Sequence, residues 1–304
     1  MNFQLFLRHF AIISMCTIGF SCSVEYSPTG NPDAHMSNSE LSDKEKIEGL
    51  DYFLPKIDLS NWKVTLPIAD PKEVIPPAIL EYGSQPVLTD FMYNDSTDGS
   101  LVFYTYPGIT TPNSSYSRTE LREQMVPGND ETNWKFSDGG TITGTLSVED
   151  ISKDQSGSPH RIIVMQIHGR LTEEQRLLIR EDDHNAPPVL KIYWIDGKVQ
   201  VRTKVLKDSN VSDIELLRTN SWKDDSGHTF STEVGREKFS LSVSATEGKL
   251  TVILNDDEKV EYEGIDLQKW NVFENYFKAG NYLITHDPGA YSKVKYFTLD
   301  VSHP

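Results

Sequence analysis

From Trp62 onward the chain is written in short β-prone runs, and that cadence constrains the fold more than any other feature of its 304 residues. In Trp62-Lys63-Val64-Thr65-Leu66-Pro67 apolar side chains alternate with polar ones at the strand period of two, and proline ends the ladder. Leu101-Val102-Phe103-Tyr104-Thr105-Tyr106 resumes the pattern after the Asp98-Gly99 turn signal. Further runs fall at 141–149, 161–168, 175–181, 189–195, 198–206, 239–245, 249–255, 276–284 and 293–301, punctuated by Gly, Asn, Asp and Pro. Asp196-Gly197, between Tyr193-Trp194-Ile195 and Lys198-Val199-Gln200-Val201, is a two-residue hairpin signal. Only a few short segments, such as Ser42–Leu50 and Asp266–Asn271, suggest helix. Many short strands at even spacing predict an all-β fold, an antiparallel β-sandwich. No repeat and no linker interrupts the chain after residue 57, so one domain is expected there.

The N-terminus has a different character. Arg8 precedes an apolar run from Phe10 to Phe20, followed by small residues and Cys22. This reads as a signal peptide, too short in its apolar stretch to span a bilayer. Gly19-Phe20-Ser21-Cys22 resembles a loose lipobox, with Phe20 where a smaller residue is commoner. Residues 1–22 are therefore expected to be a signal peptide of lipoprotein type with Cys22 lipidated, simple secretion being the alternative. Residues 23–56, polar and poor in large apolar side chains, are expected to be a flexible tether, and 57–304 the catalytic or binding domain it carries. An exported protein follows, an outer-membrane lipoprotein or a secreted one, and a monomer is expected. Both cysteines, Cys16 and Cys22, lie in the leader, which removes disulfides and thiol nucleophiles from the rest. The net charge of −16 argues against nucleic acid, because no surplus of Lys and Arg is present to displace counterions from phosphates. A local basic cleft can still work on such a protein, since charges are screened over roughly 8–10 Å at physiological salt.

Three runs carry unexpected polar side chains. In Ile163-Val164-Met165-Gln166-Ile167-His168-Gly169, strand alternation puts Gln166 and His168 on one face, with Met165 and Ile167 on the other. In Ser117-Arg118-Thr119-Glu120-Leu121-Arg122-Glu123 a strand aligns Arg118, Glu120 and Arg122, the carboxylate bracing two guanidinium groups that suit a carboxylated ligand. In Tyr276-Phe277-Lys278-Ala279-Gly280-Asn281-Tyr282 the shared face holds Tyr276, Lys278, Gly280 and Tyr282, with Gly280 leaving room for a ligand to approach the backbone. Each pattern alone fits a solvated polar face. Together, lining one concave sheet, they supply anion-binding cations, an amide, an imidazole base and a phenol. That set can perform β-elimination on a uronic acid polymer: the uronate carboxylate is neutralised, the C5 proton is taken by His168 or Tyr282, and Tyr282 protonates the departing glycosidic oxygen. No metal or other cofactor enters this scheme.

In this order Arg118-Thr119-Glu120-Leu121-Arg122, Gln166-Ile167-His168 and Tyr276-Phe277-Lys278-Ala279-Gly280-Asn281-Tyr282 resemble the signature motifs of the alginate lyases of polysaccharide lyase family 7. The stretch Asp58–Pro67 is similar to that family's first strand, and the resemblance spans roughly residues 57–301. It implies a β-jelly roll whose groove the motifs line, and alginate as the partner. It implies further that Arg118 and Gln166 engage the substrate carboxylate, that His168 and Tyr282 are the acid/base pair, and that Arg122 and Lys278 bind flanking sugars. Glu120 would hold the arginines, and Tyr276 would join the substrate-binding face. Within such lyases isoleucine at the middle of Q-x-H goes with guluronate-containing substrates, so Ile167 implies that preference. Asn281 departs from the family's usual apolar residue, on the face away from Tyr282.

Two rivals remain from the residues alone. A jelly-roll glycoside hydrolase would need two carboxylates about 5–10 Å apart on one cleft face, and the motif strands offer only Glu120, flanked by arginines. A non-catalytic binding module for acidic polysaccharide would use Arg118 and Lys278 without needing His168 or Tyr282. The loops Ile68–Pro86 and Arg170–Pro188 would decide whether the groove is closed at one end. The aspartate pairs Asp182-Asp183 and Asp224-Asp225 lack the spacing of a specific Ca²⁺ site.

Overall fold

The computed structural model describes residues 54–304 and, before them, only the backbone of Lys46, Ile47, Leu50 and Asp51. The expected signal peptide and most of the expected tether lie outside the described residues. Where a helix was expected over Ser42–Leu50, Lys46–Ile47 instead pairs with Leu50–Asp51 in a two-residue antiparallel ladder.

In chain order the strands are β1 (Trp62–Thr65), β2 (Glu73–Val74), β3 (Met92–Asp95), β4 (Ser100–Thr105), β5 (Arg118–Glu123), β6 (Gly140–Ile151) and β7 (Ile162–Arg170). Helix α1 (Glu173–Ile179) precedes the hairpin of β8 (Asn185–Ile195) and β9 (Lys198–Leu206). A single helical turn, α2 (Asp213–Leu216), leads to β10 (Trp222–Asp224), β11 (His228–Glu233), β12 (Phe239–Thr246), β13 (Lys249–Leu254) and β14 (Glu258–Glu263). Helix α3 (Ile265–Trp270), β15 (Glu274–Leu283) and β16 (Ser292–Ser302) complete the chain. One sheet runs β10-β9-β8-β7-β15-β5-β1-β2, with β11 also on β9; the other runs β14-β13-β12-β6-β16-β4-β3. The expected sandwich is thus present, antiparallel except where Lys56–Ile57 lies parallel to β16.

The second sheet backs the first and obeys the period of two. Phe239, Leu241, Val243 and Ala245 on β12 and Leu250, Val252 and Leu254 on β13 are buried, while the residues between them are partly exposed. The Asp196-Gly197 hairpin forms with both residues at positive φ (47° and 82°), the twist that a two-residue loop needs.

One predicted strand is a helix. Over 175–181 the apolar run Leu177-Leu178-Ile179 looks β-prone, but Thr172 accepts from the Gln175 amide and Gln175 reaches back to the Thr172 amide, a capping box. Ile179 alone of the three is buried, and Leu177 and Leu178 face solvent. The stretch expected to be a loop after Pro67 also contains β2 and a 3₁₀ segment, Ala78–Ser84, that buries Ile79.

The sheets are joined beneath the three motif strands by polar side chains. Asn281, fully buried, donates to the Phe103 and Ser292 carbonyls at 2.9 Å each and accepts from the Ser292 hydroxyl at 2.8 Å. Both of its N–H donors and its oxygen find partners across the sandwich, which is how a polar residue occupies a position where an apolar one is usual. The Thr119 hydroxyl donates to the Tyr104 carbonyl, and the Tyr296 hydroxyl donates to the Val164 carbonyl while accepting from the Gly280 amide.

Gly280 has a role other than the expected one. Its φ is +138°, and a Cβ there would sit 2.7 Å from the Thr119 carbonyl oxygen and 2.9 Å from the Glu120 Cα. The space belongs to the neighbouring strand rather than to a ligand. Replacing Gly280 with alanine is expected to cost about 2–4 kcal/mol of stability by strain and overpacking, measured as a lowered urea midpoint; an unchanged midpoint would contradict this close approach.

Candidate active site

Strand β15 lies between β5 and β7, so the three motifs are neighbours. Register pairs His168 with Tyr276, Gln166 with Lys278, and Lys278 in turn with Arg122. Beyond these, Gly280 faces Glu120, and Tyr282 faces Arg118 on one side and Ile163 on the other. A register shift between Ile163 and Met165 brings Ile163 into line with Tyr282.

These strands are buried on both faces, because above the core the polar side chains pack against one another. Glu120 (1% exposed) is the hub. Its Oε1 accepts from Gln166 Nε2 at 2.5 Å, its Oε2 meets Lys278 Nζ, and Arg118 Nε stands 3.8 Å away. The expectation that Glu120 braces both arginines needs correcting for Arg122: Arg118 is within ion-pair reach, but the close partners of Glu120 are a lysine and an amide. Arg122 is instead held by Asp130 at 3.0 Å, by the Asn133 side chain at 2.9 Å and by the Glu123 and Asp130 carbonyls. Its guanidinium lies 4.2 Å from the Tyr276 ring centre, and Tyr276 stacks on His168 on the other side.

Burial, then the Arg118 charge, pushes the Lys278 ammonium down to about 8, against the pull of Glu120. Arg118 donates through Nη2 to Thr111 Oγ1 at 2.7 Å, while its buried Nε has no hydrogen-bond partner.

The protonation states of the two proton-transfer candidates follow from their surroundings. His168 Nδ1 lies 2.9 Å from the Gly169 carbonyl, which can only accept, so Nδ1 carries the hydrogen and Nε2 keeps its lone pair. Burial, reinforced by the nearby Lys278, Arg118 and Lys191 charges, pushes the imidazole down to about 3. Tyr282 is shifted the other way. Burial raises its phenol, opposed by Arg118, whose guanidinium carbon is 5.4 Å from the ring centre, and by the Tyr116 amide and Ser114 hydroxyl. At neutral pH the pair is thus a free base and a protonated acid, and no hydrogen bond among the described residues joins them.

A cavity of about 320 Å³ opens above this floor, lined by Arg118, Arg122, His168, Tyr276 and Lys278 together with Lys63, Thr111, Asn113, Arg170 and Asp183. Gln166, Glu120 and Tyr282 are not among its lining residues. Over it, Asn113 donates to Asp183 at 2.6 Å, joining the loop after β4 to the loop before β8. Asp183 thus caps a loop bridge, while Asp224 pairs with Lys204. No cluster of three or more His, Cys, Asp or Glu side chains among the described residues is placed to hold a metal ion. Several of these residues went unseen in the sequence. Lys63 was legible from its alternation with Trp62 and Val64. Asp130, Asn133, Thr111 and Asn113 sit in loops that carry no period to read.

Residues 57–303 match the family model described as alginate lyase. Among solved structures, the chain is similar to alginate lyase A1-II', described as a member of polysaccharide lyase family 7, at 32% identity and TM-score 0.63, over 81% of this chain and 96% of that one. A tyrosine-to-phenylalanine variant of that enzyme, in complex with product (GGG), matches at 31% identity and TM-score 0.64, over 82% and 97%. An alginate lyase from Pseudomonas aeruginosa, at 21% identity and TM-score 0.61 over 81% and 100%, supports the fold. No curated protein sequence matches the chain.

Two outcomes test the geometry of the floor. Glu120→Ala strands Lys278 in a buried site without its carboxylate and is expected to cost about 3–5 kcal/mol in urea unfolding, with Glu120→Gln milder; equal stability of Glu120→Ala would remove the hub. The His168 imidazole is expected to show no NMR titration between about pH 8 and pH 5. Because its folded value is depressed from 6.5 to about 3, the unfolded chain takes up that proton first. The stabilising contribution of His168 is therefore complete above 6.5 and is lost as pH falls toward 3. A midpoint near the ordinary histidine value would overturn this.

Proposed function

The chain belongs to the alginate lyases of polysaccharide lyase family 7 and is a polysaccharide lyase, and from that premise we propose that it cleaves alginate by β-elimination across the β5-β15-β7 face. The observation that carries the reading is the divergent tuning of His168 and Tyr282, a bare imidazole nitrogen and a protonated phenol on one polar floor.

In this reading the uronate carboxylate is received by Arg118, which lines the cavity, with help from the amide of Gln166. Neutralising that carboxylate lowers the cost of the negative charge that develops as the C5–H bond breaks. His168 Nε2 takes the C5 proton, and the electron pair left on C5 forms the C4–C5 double bond. The C4–O bond to the leaving sugar breaks as Tyr282 gives its phenolic proton to the departing oxygen. The tyrosinate left behind is favoured by Arg118, the Tyr116 amide and the Ser114 hydroxyl. Arg122, stacked on Tyr276, and Lys278 bind the sugars beside the cleaved linkage, while Glu120 keeps Lys278 and Gln166 in place.

We extend the proposal to a preference for guluronate-containing blocks. Ile167 is fully buried and paired with Leu190 and Phe277, so it would act through packing beneath Gln166 and His168 rather than by contact with sugar. For the N-terminus we propose export on residues 1–22, with lipidation at Cys22 and residues 23–56 as the tether of the catalytic domain.

Incubation with alginate is expected to produce the ultraviolet absorbance of an unsaturated uronate, faster on polyguluronate than on polymannuronate and unaffected by EDTA. His168→Ala and Tyr282→Phe should each lower kcat by about 100- to 10,000-fold with the melting temperature retained. Binding without any absorbance change would sink the lyase chemistry, and a wild-type rate in Tyr282→Phe would remove it as the acid.

A further inference from the structure

The floor extends beyond the three motifs as a single row. Lys63, Arg122, Lys278, Gln166, Lys191 and Arg202 are successive register partners on β1, β5, β15, β7, β8 and β9. Adjacent strands lie about 4.8 Å apart, close to the length of one pyranose ring, so the row offers roughly one polar head per sugar to a polymer crossing the strands. Five of the six are cations.

The two ends of the row differ in charge balance. At the β1 end, Lys63 is neutralised by Glu73 at 2.8 Å and Asp130 at 2.5 Å, and Asp130 also pairs with Arg122 at 3.0 Å. At the β9 end, Lys191 has among the described residues only Asp224 at 3.7 Å, a carboxylate already held by Lys204 at 2.6 Å. Arg202 makes no ion pair among the described residues, its Nε donating to Gln200 Oε1 at 3.1 Å. Burial pushes the Lys191 ammonium down, with Asp224 opposing, as befits a cation short of negative partners. This end also lies outside the cavity under the Asn113–Asp183 bridge.

We propose that Lys191 and Arg202 form a carboxylate-binding subsite for the sugars one and two residues beyond the one held over Gln166, on the open side of the groove. The proposal rests on the alginate lyase reading, which supplies a carboxylate on every sugar. A guanidinium without a carboxylate can offer two parallel hydrogen bonds to a uronate, whereas Lys63 and Arg122 already spend theirs on protein groups. The unneutralised end therefore has the larger electrostatic gain from a polyanion and sets how many sugars the enzyme grips.

The test compares Arg202→Ala, Arg202→Lys and Lys191→Met in a His168→Ala background, so that ligand is bound and not consumed. Calorimetry with saturated guluronate oligomers of increasing length, at several NaCl concentrations, gives Kd for each. Arg202→Ala is expected to weaken binding of the longer oligomers about ten-fold, to lessen the gain in affinity with length, and to flatten the salt dependence, with Arg202→Lys keeping most of that dependence. Equal affinities for parent and Arg202→Ala at every length, or the same fractional loss for the shortest and longest oligomers, would overturn the subsite. A native protein that neither cleaves alginate nor binds its oligomers would take down the lyase reading itself, and this one with it.

Discussion

A carboxylate removed from water makes the rest of the site possible. Glu120 is 1% exposed on the central floor, and burying a lone anion there would be prohibitive. Lys278 and Gln166, delivered from β15 and β7 by register alone, remove that cost and in turn become fixed by it. One anion set among Lys278, Arg118 and an amide leaves the floor with surplus positive charge where a uronate would sit. Apolar replacements at these positions would pack as well or better, but they would leave nothing to hold a polyanion.

That arrangement needs strands that cannot slide. A shift of one residue in β15 would send Lys278 and Tyr282 into the core and bring Phe277 and Asn281 to the groove. The backing sheet prevents it with polar side chains rather than shape alone. Asn281 is satisfied only by Phe103 and Ser292, and Tyr296 bridges the Val164 carbonyl and the Gly280 amide where β7 and β15 lose register. The glycine itself is required because β5 runs too close for any side chain. Register on one face and specificity on the other are thus set by the same ten residues of β15.

What could be read from the sequence was whatever strand alternation dictates. The shared face of Arg118, Glu120 and Arg122, that of Gln166 and His168, and the burial of Ile167 all follow from the period of two, and the structure has them. What could not be read depends on distance in the chain. Asp130 and Asn133 reach Arg122 from a loop without pattern, so the arginine was assigned to Glu120, the carboxylate on its own strand face. Leu177-Leu178-Ile179 failed for another reason: a short apolar run does not distinguish strand from helix, and the Thr172–Gln175 capping box decided the matter. Gly280 was read as space for a ligand because sequence cannot tell which neighbour fills the missing side chain.

The acidity of the whole chain and the basic floor are compatible because they act over different lengths. At physiological salt, exposed charges beyond roughly 8 Å are largely screened, so most of the −16 is not felt at the groove. Lys278 and Arg122 are 5% and 6% exposed, so their fields pass through protein rather than solvent and are screened far less. A polyanion approaching the surface therefore meets repulsion that salt weakens, then attraction that salt weakens less. The cations at the centre of the floor are the buried ones, and burying them required Glu120 and Asp130 as partners. Glu120 and Asp130 thus have a part distinct from the acidic residues that set the net charge: they make a basic groove with buried cations possible.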